Sequence, residues 1–198
     1  MIAGVLLAAG SGSRFGGDKL LARLADGTPV GVRAARALRA ACDRTLAVVR
    51  PGDDELAALL ESEGLQARFF AGAAEGMGAS LAFGVAAAPE AEGWLVALAD
   101  MPWVRPETVA AVADRLRGGA LVAAPAFRGR RGHPVGFGHS LISELLDLRG
   151  DRGAREILSR HADQITLLDV DYEGILLDID KLSDIVAAES GIAKKFSA

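Results

Sequence analysis

The residues best suited to chemistry come early in the chain. Leu6-Leu7-Ala8-Ala9-Gly10-Ser11-Gly12-Ser13-Arg14-Phe15-Gly16-Gly17-Asp18-Lys19 begins as an apolar run and becomes a glycine-rich turn carrying two cations. Gly10 and Gly12 have no Cβ, so backbone amides can approach phosphate oxygens there, and Arg14 and Lys19 add the positive charge a polyphosphate demands. Two cations in one loop repel each other unless an anion compensates. The segment reads as a phosphate cradle. Two commoner motifs do not fit it. A dinucleotide fingerprint needs glycine where Phe15 stands; a P-loop needs lysine directly after Gly17 and then Ser or Thr, but Asp18 intervenes and Leu20 follows Lys19.

Acids that could hold a metal lie far along the chain. Trp94-Leu95-Val96-Ala97-Leu98-Ala99 reads as a buried strand ending in Asp100. Pro102 cannot continue a ladder, so the carboxylate is left in the loop at the carboxyl edge of the sheet, the crevice side of an α/β fold. Leu176-Leu177-Asp178-Ile179-Asp180 alternates apolar and acidic residues, which in a strand puts both carboxylates on one face. Mg²⁺ takes hard oxygens, needs only one or two carboxylates, and completes its shell with water and substrate phosphates, so it suits Asp100 with Asp180. The plainer alternatives are a turn-stabilising Asp100, a solvent-facing Asp178, and either later acid marking a helix start near Leu182. Asp53, Asp54, Glu55, Glu61 and Glu63 surround Leu56, Leu59 and Leu60 as a solvated helix face.

These groups need a frame that brings them together. Short apolar runs alternate with amphipathic stretches, the pattern of a parallel sheet covered by helices. Strands are expected over Ala3–Ala8, Leu46–Arg50, Gln66–Phe70, Trp94–Ala99 and Ala120–Ala124. Val30, Ala34, Ala37, Leu38 and Ala41 share a helical face. So do Val109, Val112, Ala113 and Leu116 behind Pro106, and Leu141, Ile142, Leu145, Leu146 and Leu148 behind a Ser140 cap. Ala154, Ile157 and Leu158 form a shorter stripe, while Gly72–Gly78 and Phe127–Pro134 read as long loops. With 198 residues and 51% hydrophobic content the chain can bury one sizeable core, so one domain over 1–186 and a tail over 187–198 are expected. A net charge of -4 and 5% aromatic residues argue against nucleic-acid binding. Lone Cys42 reads as core. Met1–Leu7 lacks a basic leader and no apolar run reaches membrane-span length, so a cytoplasmic protein that touches no membrane is expected.

Further segments join the opening loop: Gly76-Met77-Gly78-Ala79-Ser80-Leu81, Ala99-Asp100-Met101-Pro102, Gly132-His133-Pro134, Gly150-Asp151-Arg152-Gly153-Ala154-Arg155 and Asp178-Ile179-Asp180. In that order and spacing the chain resembles, over nearly its whole length, the molybdopterin nucleotidyltransferases within the α/β nucleoside-triphosphate transferases. The resemblance implies a three-layer, Rossmann-like nucleotidyltransferase fold with a mostly parallel central sheet. It implies nucleotide binding by Leu7, Ala8, Ala9, Gly10, Ser11, Gly12, Ser13, Arg14 and Lys19, with Gly76, Gly78 and Ser80. Catalytic roles fall to Arg14, Lys19 and Asp100, Mg²⁺ to Asp100 and Asp180, and the acceptor to Arg131, His133, Asp151 and Arg155. Ala8-Ala9-Gly10 is similar to cytidylyl-transferring members, whereas guanylyl-transferring members tend to show Ala-Gly-Gly, which favours CTP. A molybdopterin-type acceptor, and a molybdoenzyme or its chaperone as partner, follow from the resemblance alone. The chain departs from the family's pattern at Lys181-Leu182, where Thr-Pro is usual, and at Phe15, where many members carry Met.

The implied reaction is attack of an acceptor phosphate on the α-phosphorus of the triphosphate, releasing pyrophosphate. A phosphate is already ionised at neutral pH, so catalysis is alignment plus charge neutralisation and needs no protein nucleophile. Ser80 reads as a helix cap or a base contact, and His133 as a hydrogen-bond donor to the acceptor or an organiser of its own loop. Arg128, Arg130 and Arg131 read as an anion-binding cluster or a solvated basic loop. The competing functions are the same chemistry with GTP or with a sugar or alcohol phosphate, an oxidoreductase on this fold, and a nucleotide-binding protein without catalysis.

Overall fold

The computed structural model describes residues 1–10, 15 and 18–187; Ser11, Gly12, Ser13, Arg14, Gly16, Gly17 and 188–198 lie outside the described residues. The apolar runs form strands β1 (Ile2–Leu7), β2 (Arg44–Val49), β3 (Gln66–Phe69), β4 (Gly93–Leu98) and β5 (Val122–Phe127), followed by β6 (Arg130–Arg131), β7 (Val135–Gly138) and β8 (Ile165–Asp169). The amphipathic stretches form α1 (Val30–Arg39), α2 (Asp54–Ser62), α3 (Met77–Ala86), α4 (Pro106–Arg117), α5 (Ile142–Leu146) and α6 (Arg155–Arg160).

Among the described residues the eight strands make one sheet in the order β3-β2-β1-β4-β7-β5-β6, with β8 paired to β5 off that path. β3, β2, β1 and β4 run parallel, β7 is antiparallel to both β4 and β5, and β8 is parallel to β5. Alternation along β1 divides the core between two faces. Ile2, Leu6 and Ala8 pack with Leu38, Leu56, Leu60, Val109 and Val112 of α1, α2 and α4. Ala3, Val5 and Ala9 pack with Leu81, Val85, Leu145 and Ile157 of α3, α5 and α6. The result is a three-layer α/β fold of Rossmann-like type. Helix α3 lies close on the sheet, since a Cβ at Gly84 would come within 2.5 Å of Val5 Cγ1. Among the described residues no helix is long and apolar enough to cross a membrane.

The five expected strands are present, with β5 shifted to later residues. Phe127–Pro134 is not a plain loop. Phe127 pairs with Arg130 in a hairpin whose two turn residues, Arg128 and Gly129, have φ of 51° and 75°, the left-handed pair a tight hairpin of this twist requires. Gly72–Gly78 contains a 3-10 turn over Ala71–Glu75 and then the start of α3. The Leu141 stripe begins as a 3-10 turn over His139–Leu141 with no side-chain cap, so Ser140 does not cap it. Residues 177–180 do not form a strand. The backbone bonds to a loop instead, Ile179 N–H donating to Asp100 O at 2.9 Å, and in the turn just before it Ile175 O accepts from His133 N–H at 2.9 Å. The alternation still works locally, with Ile179 buried, Asp178 exposed and Asp180 half-buried.

Candidate active site

The parallel strands end together at one edge of the sheet, above a cavity of about 630 Å³. Leu7, Ala8, Ala9 and Gly10 enter its lining from the end of β1, Leu98 and Asp100 from the end of β4, and Gly76, Met77 and Ser80 from the start of α3. Lys19, Arg50, Ala73, Ala74 and Asp151 complete much of the rest. Of the nucleotide-binding residues expected from sequence, Ser11, Gly12, Ser13 and Arg14 lie outside the described residues.

Lys19 is the node of the charged wall. Its Nζ donates to Asp100 Oδ2 at 2.6 Å and to Ile179 O at 3.0 Å, and it stands 3.9 Å from Asp180 Oδ1. Asp100 and Asp180, 80 residues apart in sequence, therefore face one cation position. A pinned segment sets this geometry. Tyr172 Oη accepts from Arg105 N–H at 3.0 Å, pairs with Thr108 Oγ1 at 2.7 Å, and carries the Arg105 guanidinium 4.0 Å above its ring. Past it, Ile179 bonds to Asp100, and Asp184 Oδ2 accepts from Asp180 N–H and Lys181 N–H at 2.9 and 2.6 Å. The last pair is half of a capping box for the helix over 182–187, so Asp184 does the capping that Asp178 or Asp180 could have done. Those two bonds hold the Asp184 carboxyl below its usual range.

Two carboxylates and a backbone carbonyl around one cation position are hard oxygen donors. Among the described residues no three His, Cys, Asp or Glu side chains cluster into a fuller cage. A set this small fits Mg²⁺ or a similar ion, which leaves the rest of its shell to water and phosphate.

The opposite wall is built by close backbone packing. Gly78 N–H donates to Gly150 O at 2.7 Å, and a Cβ at Gly78 would sit 2.7 Å from Arg149 O. At Gly76, φ is 116° and a Cβ would meet Gly150 C at 2.5 Å and Asp151 Oδ1 at 2.3 Å. Both glycines thus admit the 149–151 loop against α3, and Asp151, expected at the acceptor, comes to line the same cavity as the opening loop. Ser80 is buried and lines the cavity too, but its Oγ donates back to Gly76 O at 3.2 Å, inside the first helical turn, and caps nothing.

His133, Arg131 and Arg155 lie beyond the cavity lining. Arg131 is exposed on β6 and Arg155 exposed at the start of α6. His133 Nδ1 is buried and finds no hydrogen-bond partner. Burial pushes the imidazole down to about 4, against the pull of Asp100 and with the push of Arg131, so the ring is neutral at neutral pH. A residue that sequence reasoning missed is Arg50, whose guanidinium makes a bidentate pair with Asp53 at 2.9 and 3.1 Å while lining the cavity. The signal was available: like Asp100, Arg50 is the charged residue that ends a buried apolar run. Asp53 is its anchor and not one of the solvated charges.

The sequence pattern of the MobA-like NTP transferase domain matches residues 4–165. The chain belongs to that family. Proteins of solved structure that it resembles cover nearly all of it: Rv0371c from Mycobacterium tuberculosis, 27% identical with a TM-score of 0.82 over 96% of this chain and 97% of that one, and a nucleotidyl transferase from Methanothermobacter, 25% identical with a TM-score of 0.83 over 98% and 99%. A complex of Rv0371c with manganese, 26% identical, superposes with a TM-score of 0.78 over 94% of this chain and 96% of that one. Bifunctional protein GlmU of Xanthobacter autotrophicus is 34% identical over 157 residues, 76% of this chain; the chain spans about a third of that relative's length, 34%. Family and fold together support nucleotidyl transfer as the activity of this MobA-like domain.

Proposed function

We propose that this MobA-like domain is a metal-dependent nucleotidyltransferase that moves CMP from CTP onto a phosphate-bearing acceptor of the molybdopterin type and releases pyrophosphate. The observation that carries the proposal is the convergence of Asp100, Asp180 and Lys19 at the cavity edge where the β1 loop emerges. Gly10 and the backbone around it receive the triphosphate, Lys19 and Arg14 neutralise it, and an oxygen of the acceptor phosphate displaces pyrophosphate at the α-phosphorus. A divalent ion held by Asp100 and Asp180 would supply further neutralisation of the leaving pyrophosphate, and the manganese complex of a relative supports such an ion. Lys19 changes partners in that event, from carboxylates to phosphate oxygens, so its charge stays compensated throughout.

His133, neutral and half-buried, feels the charge of Asp100 and orders the loop that the acceptor meets, while Arg131 and Arg155 supply positive charge outside the cavity. Ala8-Ala9-Gly10 supports CTP over GTP. A cytoplasmic setting, and delivery of the product to a molybdoenzyme or its chaperone, belong to the same reading. Incubation with Mg²⁺ or Mn²⁺, CTP or GTP, and molybdopterin, followed by mass analysis, tests it. The expected product is the cytidylylated acceptor with one pyrophosphate per turnover, absent in chelator. No pyrophosphate from any triphosphate overturns it.

A further inference from the structure

We infer that Asp151 reads the nucleobase and selects one that presents an exocyclic amino group, cytosine over uracil; this rests on the CTP reading above. The two walls of the cavity come from opposite faces of the sheet. Lys19 enters beside Leu20, which packs with the α1 and α2 side, whereas Gly76 to Ser80 enter beside Leu81 on the α3 side. The phosphates belong with Lys19 and Gly10. The base is left to the α3 wall, where Ala73, Ala74 and Met77 offer apolar surface.

In that apolar wall stands one carboxylate. Asp151 Oδ1 lies 2.3 Å from where a Gly76 Cβ would be, so it rests directly on the backbone at the start of α3. The bond from Gly78 N–H to Gly150 O holds its loop there. Among the described residues no hydrogen bond or ion pair engages the Asp151 side chain. An unpaired carboxylate repels phosphate, so it serves the other end of the ligand. It can only accept hydrogen bonds. Cytosine offers it the N4 amino group, whereas uracil opposes it with the O4 acceptor, and one such matched or mismatched contact is worth about tenfold or more in affinity.

The test is calorimetric titration of the full chain with CTP, UTP and tripolyphosphate in Mn²⁺, for wild type, Asp151→Asn and Asp151→Ala. A carboxamide presents a donor as well as an acceptor, so Asp151→Asn should weaken CTP, strengthen UTP and bring the two near parity from a wild-type preference of about tenfold or more. Asp151→Ala should weaken CTP without strengthening UTP. Tripolyphosphate, which has no base, should bind all three proteins equally. An unchanged ratio of CTP to UTP in Asp151→Asn, or tripolyphosphate weakened in step with CTP, overturns the base contact while leaving nucleotide binding intact. Wild type that binds neither CTP nor tripolyphosphate defeats the nucleotide reading itself, and the base contact with it.

Discussion

Strands β3, β2, β1 and β4 and the strands to their right, β7, β5 and β6, handle charge in opposite ways. Over the parallel half, the described cations that line the cavity are already compensated: Lys19 by Asp100 and Asp180, Arg50 by Asp53. Over the antiparallel half, Arg130 and Arg131 stand exposed on an edge strand, and the group that feels the charge of Asp100 is a neutral histidine with an unpartnered nitrogen. A half-buried cation held by carboxylates is desolvated and positioned before any ligand arrives, and a polyanion bringing a metal ion exchanges one set of partners for another. An exposed arginine keeps its hydration and its reach, which suits a second, larger anion that must come and go. On the function proposed above, the difference favours the parallel half for the triphosphate and the other half for the acceptor.

Asp100→Asn should divide the halves most sharply. It keeps the volume and the backbone bond to Ile179 but removes a charged oxygen from the cation position, so turnover should fall about a hundredfold or more, with melting temperature little changed. Pyrophosphate release under saturating CTP and molybdopterin measures it, and a wild-type rate would remove the metal from this edge of the sheet. Lys19→Ala should come next. It should weaken CTP by about tenfold or more and CMP far less, because on the proposed reading the lysine meets the part of the ligand that CMP lacks. Equal losses for both nucleotides would make Lys19 a strut between Asp100 and Ile179, and the parallel half would lose its claim to the triphosphate.

The same division governs what could be read from sequence. In the parallel half β1, β2 and β4 are covered on both faces, so apolar runs such as Gly93–Leu98 announce themselves, and a charged residue ending one must fall at the crevice edge. Asp100 was legible for that reason, and Arg50 could have been. Apart from β5, the antiparallel half hides its strands. β6 is two arginines on an edge, β8 has no buried residue and no regular alternation, and β7 is Val135-Gly136-Phe137-Gly138, with glycine because Leu116 and Val112 of α4 occupy the space of a Gly136 side chain at 2.8 and 3.1 Å. Asp180 was legible as chemistry but not as structure. Its alternation suggested a ladder, whereas its segment is held by the Asp100 and His133 loops through Ile179 and Ile175, and no local pattern encodes those contacts. The resemblance implied nucleotide binding by Gly76 and Gly78; their missing side chains also seat the 149–151 loop.

The smallest effect probes the acceptor half without any ligand. His133 takes up a proton near pH 6.5 when unfolded but only near 4 in the folded chain. Between these values the unfolded state binds more protons, so the stability due to the neutral ring is complete above about pH 6.5 and is lost on acidification toward 4. Because the ring is only partly buried, the loss at pH 5 should be on the order of 1–2 kcal/mol. His133→Gln removes the titrating group, so its urea midpoint should fall less than that of wild type between pH 7.5 and 5. Asp26, Asp43, Glu63 and Asp184, whose carboxyls are held low by hydrogen bonds, titrate below this window in both proteins and cancel in the difference. Parallel pH profiles for wild type and variant would mean that the folded ring accepts a proton freely. His133 would then be one more exposed cation beside Arg131, and the contrast between a compensated half and an open half would lose its neutral hinge point next to Asp100.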